Sequence, residues 1–463
     1  MTKRRVPPRQ PFRGRRMAQP RTPEDNVRGA AAWVVEQTLA TLAPSSVFLE
    51  SALARIDECD HALLRELALG TLRWLRRLDD VIGHASDRPF EKIEPALRTP
   101  LRIAAYQLLF LDRVPAHAAV NEGVSHALRQ THRGGASFAN AVLRRIARTP
   151  RIEEWPIDNR DPVSRLAIEW SHPDFLVKRW LERFGRRRTV ELLDVNNRPK
   201  VLQLLAFRDR GGREILAEDL IDQGVAVEPS ALSPLGLIVR AGNPLRAPSY
   251  GRGDFYVQDE ASQAAALLPP PRPGERILDV AAAPGGKSFT LLATEPSVRI
   301  FLADVTIERL ALLRRNLRRL RRELPLHLAD AGRPALAGPF DRVVVDLPCT
   351  GTGTLRKNPE LKWRISEPEF GRLARQAWRM LVGSAPLVDR GGLLVAITCS
   401  LEPEENAEVI ARFLAERPDF APLDLDGRLP FPLERQVTGP GRWLMLPADD
   451  HDGFTVHVLT RWA

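Results

Sequence analysis

The stretch ILDVAAAPGGKSFTLLA, residues 277–293, decides the fold of the C-terminal half of this chain. Its apolar start is typical of a buried strand, Gly285 and Gly286 predict a tight turn, and the residues after them have the pattern of a helix. A glycine pair lets a ligand approach the backbone closely, and the start of a helix presents free N–H groups. The sequence therefore predicts a strand–turn–helix unit with a ligand at the turn.

Further predicted strands follow this unit and alternate with helical segments. Short apolar strands separated by helices predict a parallel, doubly wound sheet of the Rossmann type. Ligands of such sheets bind outside the carboxyl ends of the strands. The candidate strands are residues 276–281, 299–305, 324–330, 340–348 and 392–400, with a final pair at 442–447 and 453–461.

Two ligands compete for the glycine turn. Residues 281–288, AAAPGGKS, resemble a phosphate-binding loop, but Ala281 stands where the first glycine is required. The alternative is S-adenosylmethionine, with Asp304 at one strand end for the ribose hydroxyls and Asp330 at the next for the adenine. Carboxylates at successive strand ends would repel a triphosphate, so the sequence favours S-adenosylmethionine as the cofactor. Lys287 is then a cation that faces the pocket, or else an ordinary surface lysine.

Two of the three cysteines follow strand-like segments of this predicted sheet: Cys349 in VVVDLPCTGTG and Cys399 in LLVAITCSLEPEEN. Asp346 precedes the first thiol by three residues. Residues 403–418 predict a helix directly after the second thiol, and a helix N-terminus favours a thiolate. A free cysteine can also be inert and buried, but two at one ligand edge indicate nucleophilic chemistry.

A thiolate, an acid and a methyl donor together suit the methylation of cytosine at C5. That carbon becomes nucleophilic only after a thiolate adds to C6 and converts the base into an enamine. An acid at the N3/N4 edge stabilises the developing charge, and a base then removes the C5 proton. The target base must be single-stranded or flipped out. The residues alone leave open which thiol attacks, since DNA cytosine methyltransferases place their nucleophile in a PC motif.

Charge and helical pattern describe the rest of the chain. The formal net charge is +10, mostly from arginine, which suits an RNA partner, although GC-rich coding produces the same composition. The Arg-rich segment 308–324 is predicted to be an amphipathic helix on the sheet, with an RNA-facing role as the alternative. The predicted organisation is a disordered basic arm (1–24), an all-α domain (25–150), a linker (151–165), a small α/β module (166–255) and a Rossmann-like catalytic domain (256–463).

Several classes of protein are disfavoured by the sequence. No apolar run reaches the ~18 residues of a membrane span, and the basic N-terminus lacks the apolar core of a secretory signal. Three cysteines cannot form a disulfide framework, which favours a reducing cytoplasm. They are also too few for a cysteine zinc site, and the nine histidines lack metal-ligand spacing, so no metal is expected. Cys59 is predicted to be a packing or surface residue.

Motifs in both halves resemble the bacterial RsmB (Fmu/Sun) family of small-subunit ribosomal RNA cytosine-C5 methyltransferases. In the C-terminal half they are GDFYVQDEASQ, AAAPGGK, DLPCTGTG, NPELKW and ITCSLEPEEN. In the helical half, GTLRWLRRLDDVI, LRIAAYQLLFLDRVPAHAAVNEGV and FANAVLRRIAR resemble that family's NusB-like RNA-binding domain. The resemblance covers about residues 25–460 and leaves the basic arm outside.

The resemblance implies a function and a set of site residues. Cys399 would be the nucleophile and Cys349 would assist release of the methylated base; Asp346 and Lys287 complete the expected catalytic group. Thr350 replaces a usual serine and keeps its hydroxyl, and Ala281 replaces a frequent cysteine, which leaves two thiols in the site. The expected cofactor-binding residues are Ala281, Ala282, Ala283, Pro284, Gly285, Gly286, Lys287, Asp304, Asp330 and Asp346.

The resemblance also implies a substrate and partners. Residues 166–255 would be an RNA-binding extension, the substrate would be 16S rRNA, and a monomer is expected. The alternatives are a non-catalytic NusB-like RNA-binding or antitermination factor, and a C5-methyltransferase that acts on tRNA or DNA.

Overall fold

The computed structural model describes residues 26–429 and 432–462, so the predicted basic arm at 1–24 lies outside the described residues. The described residues divide into two compact units, one up to residue 158 and one from residue 159 onward, which are described separately below. None of the described helices combines the length and the apolar character that a membrane crossing requires.

The first unit is helical throughout its described part, which confirms the predicted all-α fold. Its helices share one core, to which Leu67, Leu101 and Leu143 contribute fully buried side chains. Gly70 lets its helix pack closely against the helix that carries Tyr106, because a β-carbon at residue 70 would collide with the Tyr106 ring. Cys59 is exposed in a short 3₁₀ turn. The helices are α1 (Val27–Thr41), α2 (Ser45–Leu53), α3 (His61–Arg73), α4 (Leu75–Ser86), α5 (Pro95–Phe110), α6 (Ala116–Gln130) and α7 (Arg133–Arg148).

The second unit begins with a small α/β module. Its four strands form an antiparallel sheet in the order β2-β3-β1-β4. The sequence predicts β1 and β3 but not β2 and β4, because β2 lies mostly exposed and β4 is only three residues long. The elements are α8 (Pro162–Glu169), α9 (Asp174–Asn197), β1 (Gln203–Ala206), α10 (Gly212–Asp222), β2 (Ala226–Pro229), β3 (Gly236–Ala241), α11 (Pro248–Arg252) and β4 (Phe255–Val257).

A larger α/β domain follows, with helices on both faces of one sheet. Phe289 and Leu313 pack in the core on one face, and Leu381 and Phe413 pack in the core on the other. The elements are α12 (Glu260–Ala266), β5 (Arg276–Asp279), α13 (Gly286–Thr294), β6 (Arg299–Asp304), α14 (Ile307–Leu320), β7 (Leu326–Leu328), β8 (Phe340–Asp346), α15 (Leu361–Arg364), α16 (Glu367–Ser384), β9 (Val388–Thr398), α17 (Ala407–Glu416), β10 (Phe420–Pro422), β11 (Val437–Gly439), β12 (Arg442–Met445) and β13 (Phe454–Arg461).

The strand order of this sheet is β11-β12-β13-β9-β8-β5-β6-β7, with β10 also paired to β13. Strands β5 to β9 are parallel, whereas β10 to β13 run antiparallel to their neighbours. The sheet is therefore mixed, where the sequence predicts a parallel one. The loop between β12 and β13 is too short for a crossover helix, and a short connection produces an antiparallel pair.

The parallel strands bring the predicted site residues to one edge. Strands β5, β6 and β8 end at Asp279, Asp304 and Asp346, and β9 ends one residue before Cys399. Asp346 is paired in register with Ile397, so the segments that carry the two thiols leave the sheet side by side. The helix predicted over 308–324 is α14, and its Leu313, Leu317 and Leu320 face the core as expected.

Candidate active site

The glycine turn joins β5 to α13 and takes its shape from Gly285. That residue has a φ of 112°, and a β-carbon on it would collide with the Phe289 ring one turn further along the helix. Gly286 opens the helix with ordinary φ, but a β-carbon there would lie 3.2 Å from the Gln258 side chain. Residue 285 must therefore be glycine both for its backbone conformation and for its packing.

We expect Gly285→Ala to lower the free energy of unfolding of the second unit by about 2–4 kcal/mol, because it combines backbone strain with overpacking. Gly274→Ala is the matched control, since Gly274 also has a positive φ, 72°, but its β-carbon would meet open space. The control should lose only about 1–2 kcal/mol, the cost of the left-handed conformation. Urea unfolding followed by circular dichroism measures both, and equal losses would contradict the packing argument.

Asp279 supports the turn from beneath and was not among the predicted site residues. Its carboxylate accepts hydrogen bonds from Ser288 Oγ at 2.7 Å and from the Ala281 N–H at 3.3 Å, so it links the end of β5 to α13. It is 1% exposed, and burial raises its pKa to about 6. An aspartate within the predicted strand just before the glycine turn is the sequence signal that could have identified it.

Asp304 is the buried acid at the end of β6. One carboxylate oxygen accepts the Ala283 N–H at 2.9 Å; the other accepts Arg309 Nε at 2.6 Å and the Val305 N–H at 2.8 Å. Arg309 also donates to the Ala283 carbonyl at 2.8 Å. Asp304 thus both faces the cavity and fixes the glycine turn, and Arg309 is a second residue of this site that the sequence did not reveal.

A cavity of about 900 Å³ opens at this edge of the sheet. Ala281 and three of the predicted acids, Asp304, Asp330 and Asp346, line it together with both thiol residues, Cys349 and Cys399. Helix α16 also lines the cavity, through Gln376, Trp378, Arg379, Met380 and Val382, which no sequence pattern indicated.

The cavity fits S-adenosylmethionine in volume and in chemistry. Its size lies within the range of about 300–1,000 Å³ that is common for small-molecule sites. Asp304 and exposed Asp330 offer carboxylate oxygens to hydroxyl and amino groups. Among the hydrogen bonds described, the Asp330 carboxylate accepts only the Gly332 N–H, at 2.8 Å. Ala281 presents little side-chain bulk at the turn.

The other predicted turn residues shape the wall of the cavity without lining it. Ala282 and Ala283 are buried in the core beside the sheet, whereas Pro284 is exposed. Gly285 and Gly286 turn the chain into α13, and Lys287 follows in its first turn.

The two thiols lie next to each other beside this cavity, with Cys349 Sγ 3.4 Å from Cys399 Sγ. Each follows the end of its own strand, and the Gly353 N–H donates to the Cys399 carbonyl at 2.9 Å, which ties the two loops together. The hydrogen bond to Cys399, together with burial, raises the pKa of Cys349 well above its usual value. Cys349 is therefore a protonated thiol at neutral pH.

Lys287 and Asp346 form an ion pair beside the thiols, with Lys287 Nζ 2.5 Å from an Asp346 carboxylate oxygen. Burial alone would lower the pKa of Lys287, but the Asp346 carboxylate more than offsets this and the pKa is raised. Lys287 therefore remains an ammonium group, and its Nζ lies 5.9 Å from the centre of the Phe454 ring.

The loop after Cys399 differs from the prediction. Residues Pro403–Glu405 form a 3₁₀ turn, and α17 begins only at Ala407 because Asn406 leaves the helical conformation at φ −128° and ψ −98°. The predicted helix start at 403, directly after the thiol, is wrong. The buried Asn406 side chain donates instead to the carbonyls of Ser400 and Glu402, at 3.0 and 2.7 Å, and holds the loop closed.

A doubly wound sheet with a glycine turn after its first strand and acids at the following strand ends is typical of an S-adenosylmethionine-dependent methyltransferase. Comparison with known proteins specifies the family. Residues 265–459 match the family model for the 16S rRNA methyltransferase RsmB/F, residues 26–148 match the NusB family, and residues 172–246 match the ferredoxin-like domain of RsmF/B-like methyltransferases.

Whole-chain relatives agree. The chain is 34% identical to the ribosomal RNA small subunit methyltransferase B of Pseudomonas putida, over 95% of this chain and 99% of that one. It is 33% identical to the probable ribosomal RNA small subunit methyltransferase B of Bacillus subtilis, over 87% and 91%. The solved structure of PH0851 superposes with a TM-score of 0.76 at 25% identity, over 94% and 99%. The chain belongs to the RsmB/F family of rRNA methyltransferases, and its cofactor is S-adenosylmethionine.

Proposed function

We propose that this protein methylates C5 of a cytosine in 16S rRNA through a transient covalent bond between Cys399 and C6 of the base. The observation that carries the proposal is the pair of sulfurs, 3.4 Å apart, at the wall of the same cavity as Asp304, Asp330 and Asp346. The rRNA substrate is supported by the names of the relatives that match nearly the whole chain.

The covalent step begins with the Cys399 thiolate. Its sulfur bonds to C6, and the electron pair of the C5–C6 double bond moves so that C5 becomes an enamine carbon. Because its raised pKa keeps Cys349 protonated, the attacking sulfur in this proposal is that of Cys399. Asp346 accepts a hydrogen bond from the N4 amino group, and the Lys287 ammonium stabilises the negative charge that develops on the ring.

The cofactor is assigned to the cavity that these groups face. When bound, S-adenosylmethionine supplies the electrophilic methyl group that C5 takes. Asp304 would hold the ribose hydroxyls and Asp330 the adenine amino group, while the turn from Ala281 to Lys287 closes around the rest. Both thiols lie in the wall of that cavity. This position supports direct transfer of the methyl group from the cofactor to the base, without a conformational change that moves the base from one site to another.

Release restores the double bond of the base. The C5 proton passes to Cys349, the C5–H electron pair forms the C5–C6 double bond, and the C6–S bond breaks with its electrons on Cys399. In the same step the proton originally on Cys349 goes to the departing Cys399 sulfur, which frees an electron pair on Cys349 for the C5 proton. Cys399 then loses its new proton to solvent, which restores the thiolate. The short separation of the sulfurs supports this exchange.

Substrate and product can be tested directly. Purified protein should transfer the labelled methyl group of S-adenosylmethionine to unmodified 16S rRNA, and digestion to nucleosides should place all of the label in 5-methylcytidine. Unmodified tRNA and single-stranded DNA of matched length are the competing substrates. Label in another nucleoside, or transfer to tRNA or DNA in preference to rRNA, would refute the proposal.

A further inference from the structure

Glu405 is a buried acid at the site to which the proposed mechanism gives no role. It ends the 3₁₀ turn six residues after Cys399 and is fully buried, at 0% exposure. A buried carboxylate is costly unless other groups hydrogen-bond to it. Burial raises its pKa to about 7, although hydrogen bonds from Ser400 and Thr350 oppose that rise.

The partner of Glu405 is the residue that follows the second thiol. One carboxylate oxygen accepts the Thr350 N–H at 2.8 Å, and the other accepts the Thr350 hydroxyl at 2.7 Å. Both bonds end on the residue bonded directly to Cys349. The side chain of Glu405 therefore fixes the position and direction of the backbone that carries that thiol.

The rest of the Cys349 loop is held by the same neighbouring segment. Thr352 Oγ accepts the Leu401 N–H at 2.9 Å, and the Gly353 N–H donates to the Cys399 carbonyl at 2.9 Å. These two bonds act at the far end of the loop, three and four residues beyond Cys349. At the near end, beside the sulfur itself, Glu405 supplies both of the described bonds that Thr350 makes to the Cys399 segment.

Without this support, the backbone of the loop would be free to leave its present position. Gly351 has a φ of 76°, and a β-carbon there would lie 3.8 Å from Cys399 Sγ and 3.0 Å from the Leu361 side chain. A glycine flanking the thiol allows many backbone conformations once its neighbour is released. Loss of the Thr350 anchor would therefore displace Cys349 relative to Cys399.

We infer that Glu405 is a positioning residue for release of the methylated base, and that it acts by holding Cys349 through Thr350 against the Cys399 sulfur. The inference rests on the proposed function, in which Cys349 acts after methyl transfer. Removal of Glu405 is therefore expected to impair release of the methylated base but to leave attack by Cys399 intact. Cys399 keeps its strand, its loop and the hydrogen bond from the Gly353 N–H to its carbonyl.

The test is a single-turnover reaction with enzyme in excess over 16S rRNA, resolved on a denaturing gel. Glu405→Ala should form the covalent RNA adduct as fast as the native protein but retain it in methylated form, with turnover lowered about 100-fold, the cost of a displacement near 1 Å. Glu405→Gln should behave like the native protein, because its amide can accept the Thr350 N–H and donate to the Thr350 oxygen. Rescue by this isostere separates positioning from mere loss of stability.

Two further variants complete the test. Glu408→Ala is the matched control, an exposed acid in the first turn of α17 that should leave turnover unchanged. Thr350→Val keeps the side-chain volume but removes the hydroxyl. It should retain a smaller fraction of adduct than Glu405→Ala, because only one of the two hydrogen bonds to Glu405 is lost. This variant is the decisive one if Glu405→Ala fails to fold. Native turnover in a folded Glu405→Ala protein overturns the inference, and if Glu405→Ala does not fold, native turnover in Thr350→Val overturns it. So does a folded Glu405→Ala protein that binds cofactor and forms no adduct.

Cys349→Ala distinguishes this inference from the proposal on which it rests. If Cys349→Ala accumulates adduct and Glu405→Ala does not, only the role of Glu405 falls. If Cys349→Ala accumulates none, the release role of Cys349 falls and the inference falls with it.

Discussion

Cys399→Ala should lower the rate of methyl transfer to 16S rRNA by about 10⁴-fold or more, the scale of loss when a covalent nucleophile is removed. The reason is chemical: without a sulfur adding to C6, C5 has no electron pair to offer the methyl group. Cofactor binding should survive, because many other residues line the cavity and the alanine leaves the end of strand β9 unchanged. Methyl incorporation under saturating cofactor measures the loss.

A second probe tests the covalent bond between Cys399 and C6 of the base. RNA with 5-fluorocytosine in place of cytosine should trap the native enzyme as an adduct that survives denaturation. A base can remove hydrogen from C5 as a proton but cannot remove fluorine, so the release step is blocked. Cys399→Ala should give no adduct with this RNA. Cys59→Ser is the matched control, since Cys59 is exposed in the other unit of the chain, and should trap as the native protein does. An adduct in Cys399→Ala would move the nucleophile to Cys349.

Much of the candidate site could be predicted from the sequence, because the end of a strand is recognised from the residues next to it in the chain. Asp304, Asp346 and the two cysteines each follow an apolar run, and parallel strands place their ends at one edge whatever their order in the sheet. The glycine turn is local too, since Gly285 meets its steric limit at Phe289, four residues away. Such features need no knowledge of distant contacts.

What the sequence missed depends on contacts between distant segments. Arg309 reaches Ala283, and Glu405 reaches Thr350 across 55 residues. In the sequence, both residues look like ordinary charged residues of a predicted helix. No sequence pattern shows that the side chain of such a residue makes a contact inside the site. The helix start at 403 failed for a similar reason: Pro403 and the acids after it favour a helix, but the side-chain bonds of Asn406 to the carbonyls of Ser400 and Glu402 outweigh that preference.

Cys349→Ala should accumulate the methylated covalent adduct on 16S rRNA. The variant keeps Cys399, Asp346 and Lys287, so attack and methyl transfer proceed. What it lacks is the group that takes the C5 proton and gives a proton to the departing sulfur, and the described contacts place no second thiol within reach of Cys399. After a single turnover, label from the cofactor should remain with the protein on a denaturing gel, whereas the native protein releases labelled RNA.

The protonation of Cys349 makes this outcome specific. Its raised pKa keeps it a thiol at neutral pH, so its removal deprives Cys399 of a hydrogen-bond donor and not of a competing nucleophile. Cys349→Ser therefore refines the test: a hydroxyl can still donate to the Cys399 sulfur but is a poor acceptor for the C5 proton, so adduct should accumulate with serine as well. Release at the native rate with serine, but not with alanine, would assign Cys349 to hydrogen-bond donation alone and remove proton abstraction from its role.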